Sequence, residues 1–404
     1  MKILHLTYSD NYGGASIAAK RIHFELLKRG KNSTLMTVDR KYTLDPTIVE
    51  VPYKFGRLEK FLRPYFSEVI KKLFKKKLLN SFNIIPSSIS NYINKLNVDI
   101  VNLHWVNNEM ISIKDISNIN KPLVWTFHDM WPFCSSEHYT ATKDYIYSYN
   151  KFNYSIFNIS KYVWSLKLKY WKKYSFNTIS TSKWLFECTK KSFLFKKKKN
   201  YLIYNCSDHN YWNIKNKNFS RKKLGLPINK KIILFGAVNL DKDHRKGFDV
   251  VVKNFELLQK EYDNSILAVF GNIKKHKDSK LIKYFGYINK DSILRDLYNA
   301  SDLMLAPSTL ENMPLTCVDA MCCGLPIIST KTGGFKEIIV NNINGHLIDN
   351  INDSKNFIEK IIDVLDKKTS YKNRKIIRNF AIKLFSPKKT IDSYLDIYNK
   401  IILK

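Results

Sequence analysis

Acidic residues are scarce in this 404-residue chain: 35 Asp and Glu stand against 68 Lys and Arg, a formal net charge of +33. Such a balance favours anionic partners, whether nucleic acid, acidic lipid head groups or phosphorylated substrates. Long apolar runs are missing as well, and nothing approaches the ~18 residues expected of a bilayer-spanning helix. The opening MKILHLTYSDNYGG has neither the apolar core nor the small-residue cleavage site of a secretion signal, so a cytoplasmic protein is expected. The six cysteines, at 134, 188, 206, 317, 322 and 323, form no C-x-x-C pair. That argues against a structural zinc site and for buried, reduced thiols. No short internal repeat and no G-x-G-x-x-G fingerprint is present. What remains, 44% hydrophobic and 25% charged residues, is the composition of a globular protein long enough for two domains.

Apolar strand-like runs alternate with helical patterns along the whole chain. Strands are expected at 2–8, 33–38, 98–106, 121–129, 177–182 and 201–205, with a helix over 14–30. The pattern then restarts, with strands at 230–238, 265–271, 281–288, 302–307 and 326–330. Helices are expected from Lys246 to about Glu261, around 290–299, and from Pro314 onward. Short buried strands separated by helices imply parallel sheets covered on both faces. A polar, turn-rich seam near 207–229 divides the two series. The expected architecture is therefore α/β, with two doubly wound, Rossmann-like domains and a ligand cleft at the carboxyl ends of their strands. The domains are expected at 1–207 and 208–385, with a C-terminal helix over 386–404 packing back on the first domain.

Four stretches carry candidate chemistry. SDNYGGAS (9–16) follows the first strand and precedes a helix; Gly13-Gly14 suits either a tight turn or a backbone that closely approaches an anion. LHW (103–105) and TFHDMWPF (126–133) each close a strand. His128 there fits a structural imidazole, or one that holds a substrate hydroxyl with Asp129 fixing its tautomer. In DKDHRKGFDVVV (241–252), Arg245 and Lys246 are expected at a helix N-terminus, where cations oppose the helix dipole unless an anion sits between them. Phosphate is such an anion. Asp241-x-Asp243 resembles a metal-binding carboxylate pair, but Arg, Lys and a helix terminus can neutralise a diphosphate without metal.

The fourth stretch is TLENMPLTCVDAMCCGLPIIST (309–330). Pro314 is expected at the first helical position, so the amides of Leu315, Thr316 and Cys317 open the helix. Glu311 lies on the loop before it and Asp319 one turn inside. Two carboxylates reaching one ligand suit a polyhydroxylated molecule whose phosphates meet the helix terminus, whereas a glutamate near free amides is also favourable by itself. The Gly-Gly turn of TGGF (332–335) follows. Separately, KFGRLEKFLRPYFSEVIKKLFKKK (54–77) holds nine basic and two acidic residues interleaved with aromatics. It suits an anionic membrane surface, or a solvated helix whose apolar side lies on the core.

Together, RKGFD (245–249), the E-x7-acid motif followed by AMCCGLPIIST, and the TGG turn resemble the retaining nucleotide-sugar glycosyltransferases of the GT-B fold, family 4 (the group 1 transferases). HLTYSDNYGGASIAAKRIH and VNLHWVN…KPLVWTFHDMWPF resemble a subgroup from bacterial surface-polysaccharide clusters. The resemblance covers nearly the whole chain. It implies transfer of a hexose-type sugar from a nucleoside-diphosphate sugar to a glycan or lipid-linked saccharide, in O-antigen, capsule or exopolysaccharide assembly. It implies no cofactor beyond the donor substrate, no metal and no nucleic-acid partner, and association with the inner membrane face through 54–79. By the resemblance, Gly13 and Gly14 lie against the donor phosphates, His128 contacts the transferred sugar, and Lys246 with Arg245 neutralises the diphosphate. Glu311 holds sugar hydroxyls, Asn312, Met313, Leu315 and Thr316 line the donor site, and Asp319 holds the ribose. His128, Lys246 and Glu311 are the expected catalytic set. A sugar-nucleotide epimerase on the same fold, or a basic membrane- or nucleic-acid-binding protein, is the alternative.

Three departures from the family pattern stand out. Asp319 replaces the usual glutamate and is shorter by roughly 1.5 Å, one bond length. Right after the first strand of the second domain, where many members carry arginine, the chain reads GAVNL. The loop SSEHYTATKDYIYSYN after Cys134 has no cysteine.

Overall fold

The computed structural model describes residues 1–40, 44–74, 79–149, 158–273, 279–367 and 370–403. They form two compact units, one from Met1 to Cys206 together with the chain from Pro387 onward, the other from Ser207 to Ser386.

In the first unit, β1 (Lys2–Ser9), α1 (Gly14–Lys28), β2 (Asn32–Asp39) and β3 (Ile48–Glu50) are followed by α2 (Gly56–Leu73) and α3 (Ile89–Lys95). Then come β4 (Ile100–Leu103), α4 (Ile113–Ser117), β5 (Leu123–Phe127), α5 (Ile159–Trp171), β6 (Asn177–Ser180), α6 (Lys183–Lys191) and β7 (Lys199–Leu202). The strands form one seven-stranded sheet in the order β3-β2-β1-β4-β5-β6-β7, with every pairing parallel. Parallel strands buried on both faces need near-continuous apolar runs, and β5 (LVWTF) is buried at all five positions. The C-terminal helix Pro387–Ile402 lies on this unit, burying Ile391, Tyr394, Ile397 and Tyr398 with Ile3, Ile22, Ile100 and Ile179. Its Tyr398 hydroxyl accepts from Asn102 Nδ2 at 2.7 Å.

The second unit contains α7 (Lys217–Leu224), β8 (Lys231–Asn239), α8 (Phe248–Leu258), β9 (Ser265–Asn272), β10 (Ile282–Tyr284), α9 (Asp291–Ala300) and β11 (Leu303–Ala306). It continues with α10 (Leu315–Cys322), β12 (Ile327–Thr330), α11 (Phe335–Ile338), β13 (Gly345–Ile348), α12 (Ser354–Asp366) and α13 (Tyr371–Phe385). Its sheet, β10-β9-β8-β11-β12-β13, is also parallel throughout. In each sheet the strand order reverses once, between β1 and β4 and between β8 and β11. At such a switch point the loops leaving the strand ends diverge and open a crevice.

Several elements differ from the sequence reading. The seam at 207–229 contains α7, capped by Asn216 accepting from the Phe219 amide. β7 lies two residues before its expected start, and the strand expected over 281–288 keeps only Ile282–Tyr284. The helix expected from Lys246 starts later. His244–Lys246 is a single 3₁₀ turn, Gly247 takes a left-handed φ of 75°, and α8 begins at Phe248.

Helix α2 is amphipathic with its faces reversed. Its buried residues are Arg63, Ser67 and Lys71, whereas Leu58 (61% exposed), Phe61 (70%), Tyr65, Phe66 and Leu73 face outward. Arg63 explains the inversion. Its guanidinium donates to the carbonyls of Ile85 (3.2 Å) and Glu109 (2.9 Å) and pairs with Glu59 at 2.5 Å. The alternative of an apolar face on the core therefore does not hold. Positions 75–78 of the basic stretch lie outside the described residues.

Candidate functional site

In the second unit, the loops after β8 and β11 meet at the switch point. Thr309 N donates to the Arg245 carbonyl at 2.8 Å, and Gly247 packs so closely that an added Cβ would lie 2.6 Å from the Pro307 oxygen. Glycine at 247 thus serves both the positive φ and the close approach. This contact brings side chains 65 positions apart into one cluster. Arg245 Nη1 donates to Glu311 Oε2 at 2.9 Å and to the Leu310 carbonyl at 2.5 Å, while Nη2 pairs with Asp243 at 2.9 Å. Lys246 Nζ bonds the same Glu311 oxygen. The charge of this basic pair is met by Glu311 and Asp243, so Asp243 of the D-x-D pair serves Arg245. Among the described residues no cluster of three or more His, Cys, Asp or Glu forms a metal-like set.

Glu311 is 6% exposed. Burial alone would push its carboxyl up, but the charges of Lys246 and Arg245 and their hydrogen bonds prevail and hold it at about 2. Its folded value lies below the unfolded one near ~4.3. The stabilisation is therefore present above the unfolded value and lost as pH falls through about 2. Glu311→Gln is expected to flatten the acid limb of the stability profile, measured as thermal midpoint from neutral pH to the acid limit of folding.

The backbone under Glu311 is fixed by the TGG turn. Gly334 N donates to the Glu311 carbonyl at 3.1 Å. A Cβ at Gly333 or Gly334 would lie 1.7 Å from the oxygen of Glu311 or Asn312 respectively. These glycines therefore serve close backbone contact. Asn312 and Met313 are buried beside them, and Leu315 is buried at the start of α10. Pro314 is the residue before the helix rather than its first member. The Cys317 amide bonds the Pro314 carbonyl at 3.1 Å, which removes it from the expected set of open amides. Those of Leu315 and Thr316 have no backbone partner among the described residues. Asp319 lies inside α10, 3% exposed, and its Oδ1 accepts from Ser207 Oγ at 2.6 Å.

In the first unit, Gly13 takes φ 85° as the residue before α1, a conformation that favours glycine. An added Cβ at Gly13 or Gly14 would meet nothing within 4 Å, so this backbone is open to approach. His128 follows β5, and its Nε2 lies 3.0 Å from His104 Nδ1. Burial lowers its pKa to about 4 against the pull of Asp129.

The expectation that Asp129 fixes the His128 tautomer is corrected. The Asp129 carboxylate engages His138 Nδ1 (2.6 Å), Trp105 Nε1 (3.0 Å) and the Trp131 amide (3.0 Å). His138 Nε2 in turn lies 2.9 Å from Ser81 Oγ. The order Ser81–His138–Asp129 has the connectivity of a hydrolase relay, but Ser81 is 1% exposed, so it braces the loop. Sequence reasoning also missed His5 and Lys167. Lys167 is fully buried, and its ammonium donates to the carbonyls of Trp131, Cys134 (2.9 Å) and Ser135 (2.7 Å). For His5 the visible signal was a polar residue within the apolar run ILHL, whereas Lys167, one of several lysines in KYVWSLKLKYWKK, gave none.

Comparison with known proteins bears on the family and the fold. Residues 216–383 match the family model described as Glycosyl transferases group 1. The chain is 29% identical over 141 residues to D-inositol 3-phosphate glycosyltransferase of Xylanimonas cellulosilytica, covering 32% of this chain and 33% of that protein. It is 32% identical over 108 residues to UDP-Gal:alpha-D-GlcNAc-diphosphoundecaprenol alpha-1,3-galactosyltransferase of Escherichia coli, covering 27% and 28%. These matches span about a third of the relatives' length. Its fold is similar to that of sucrose-phosphate synthase from Thermosynechococcus elongatus, with a TM-score of 0.68 at 16% identity, covering 100% and 99% of the two chains.

Proposed function

We propose, from the premise that this chain belongs through residues 216–383 to the glycosyl transferases group 1 family and has the GT-B fold, that it is a retaining, metal-independent hexosyltransferase. Its donor would be a nucleoside-diphosphate sugar and its acceptor a hydroxyl of a glycan or lipid-linked saccharide in surface-polysaccharide assembly. The observation that carries this reading is the pair of cations, Arg245 and Lys246, held on the buried Glu311 carboxylate. The pair presents fixed cationic hydrogen-bond donors, held in place by Glu311 and Asp243, to a departing diphosphate, and preorganised donors of this kind are among the largest contributions to such reactions.

In the reaction, the acceptor oxygen bonds the anomeric carbon on the face from which the phosphate oxygen leaves. The hydroxyl proton passes to that departing oxygen. Lys246, Arg245 and the amides of Leu315 and Thr316 stabilise the diphosphate. Glu311, fully ionised, accepts hydrogen bonds from sugar hydroxyls, Asp319 from the ribose, and His128 is assigned a hydrogen bond to the transferred sugar. Gly13 and Gly14 are assigned to the donor phosphates. Anomeric proton couplings of the product formed from an α-linked donor panel test the proposal. An α-linked product supports it; a β-linked product, or none from any donor and acceptor, opposes it.

The outward apolar face of α2, with Arg57 and Lys72 on the same helix, favours an anionic membrane surface as the place of work. No helix among the described residues is long and apolar enough to cross a membrane, so attachment would be peripheral. The double variant Leu58→Ser/Phe61→Ser is expected to lose at least about 10-fold in binding to vesicles containing anionic lipid, since each large side chain contributes on the order of 1.5–3 kcal/mol when buried. Vesicle sedimentation at low and high salt checks this, with binding expected to weaken as salt rises.

A further inference from the structure

Three histidines, two buried and His128 half-buried, form a hydrogen-bonded chain across adjacent strands of the first unit. His5 lies within β1, His104 directly follows β4, and His128 directly follows β5; these strands are neighbours in the order β1-β4-β5. His5 Nδ1 lies 3.0 Å from His104 Nε2, and His104 Nδ1 lies 3.0 Å from His128 Nε2. The rings pack at centroid distances of 5.2 and 5.3 Å. His5 is 0% and His104 3% exposed. Burial lowers the pKa of His5 to about 3 and of His104 well below its ordinary value. All three rings are therefore neutral near neutral pH, and each carries one proton.

Counting protons leaves two arrangements. Each N···N contact needs one hydrogen, and three neutral rings supply three. If His104 carries its proton on Nδ1, it donates to His128 Nε2 and accepts from His5 Nδ1. The His128 proton is then on Nδ1, and His5 Nε2 is bare. If His104 carries its proton on Nε2, every bond reverses, and His5 Nε2–H becomes a buried donor. His5 Nε2 has no hydrogen-bond partner among the described residues. A buried N–H without an acceptor is rarer and more costly than an acceptor left unfilled. The neighbouring His23 offers no relief, because its two ring nitrogens engage Ser33 (2.8 Å) and Thr47 (2.9 Å).

We propose that His5 and His104 are positioning residues that lock His128 into its Nδ1–H tautomer, through a polarised chain beginning at the bare Nε2 of His5. His128 then serves as a neutral hydrogen-bond donor and not as a base. The functional part of this inference rests on the assignment of His128 to the transferred sugar; the tautomer itself does not.

The test uses the full chain labelled with 15N-histidine, with long-range proton–nitrogen correlation spectra near neutral pH and single-histidine variants for assignment. The expected result is Nδ1–H in all three rings. His5→Asn, whose side-chain amide can replace the Nδ1 donor, should retain the His128 tautomer. His5→Leu and His104→Leu should mix it. An Nε2–H form of His128 in the unaltered protein overturns the proposal, as does an unchanged tautomer in both leucine variants. Should the leucine variants fail to fold, the spectrum of the unaltered chain decides alone.

Kinetics separate the two layers. His104→Leu should lower kcat at least tenfold with donor KM nearly unchanged, and His104→Asn should recover most of the loss. The expected spectra with unaltered kcat would support the histidine chain and remove His128 from the reaction.

Discussion

Lys246→Ala is expected to lower kcat for sugar transfer by about 100- to 1,000-fold, the scale seen when one preorganised stabiliser of developing charge is removed. Lys246 is only partly buried, with 24% of its side chain exposed, so the substitution should cost little stability. Arg245 would still pair with Glu311 at 2.9 Å, and the loop contact from Thr309 to the Arg245 carbonyl does not involve the lysine side chain. The loss should therefore appear mainly in the rate, with only a small fall in the thermal midpoint. Lys246→Arg should recover part of it, because a guanidinium keeps the charge but not the compact ammonium geometry. Steady-state kinetics at saturating acceptor, with parallel thermal unfolding, check this. A large fall in midpoint would instead mark Lys246 as a structural counter-ion of Glu311.

Lys167→Met is expected to destabilise the protein by about 3 kcal/mol, a structural effect comparable to a large core truncation. The methionine keeps the length of the stem, but three carbonyls of the 131–135 loop lose their donor. Each buried group left unsatisfied costs on the order of 1–3 kcal/mol, offset in part because no charge is then buried. The Lys167 ammonium also lies 3.7 Å from the Trp131 ring centroid, a contact the methionine does not reproduce electrostatically. Urea unfolding of the full chain, monitored by tryptophan fluorescence, provides the measurement. Burial lowers the Lys167 pKa to about 7, so the folded state releases this proton more readily than the unfolded chain. The linked stability therefore rises from about pH 7 toward the ordinary lysine value. The gap between the native protein and Lys167→Met should widen over that interval.

The strands were legible because a parallel sheet buried on both faces demands apolar runs, and ILHLTY, LVWTF and LMLA supply them. Gly13-Gly14 and the TGG turn were visible as glycine pairs. Their reasons differ: Gly13 is needed for its φ, whereas Gly333 and Gly334 press against the backbone of Glu311 and Asn312. The joining of Arg245 and Lys246 to Glu311 was not visible in spacing. It depends on β8 and β11 being neighbours and on Gly247 meeting Pro307.

One error has a plain root, since sequence adjacency is a poor guide to side-chain partners. Asp129 follows His128 but serves His138, while the partner of His128 comes from the end of the neighbouring strand. For α2 the sequence shows two faces and not which one is buried. Arg63, reaching the carbonyls of Ile85, Pro86 and Glu109, turns the polar face inward. The late start of the helix expected from Lys246 is local in origin, because Gly247 in the left-handed region ends the 3₁₀ turn before α8 begins.

The central claim is that Arg245, Lys246 and Glu311 bind the diphosphate and sugar of a nucleotide donor. Calorimetric titration of the full chain with a nucleoside monophosphate, diphosphate and diphosphate-sugar of each common base tests it most directly. The account predicts that, for one base, affinity rises at least about tenfold from monophosphate to diphosphate, equivalent to about 1.4 kcal/mol. That gain should vanish in Lys246→Ala, and the further gain from the sugar should vanish in Glu311→Gln. Equal affinities for mono- and diphosphates, or a Lys246→Ala variant that binds both as the unaltered protein does, would contradict it.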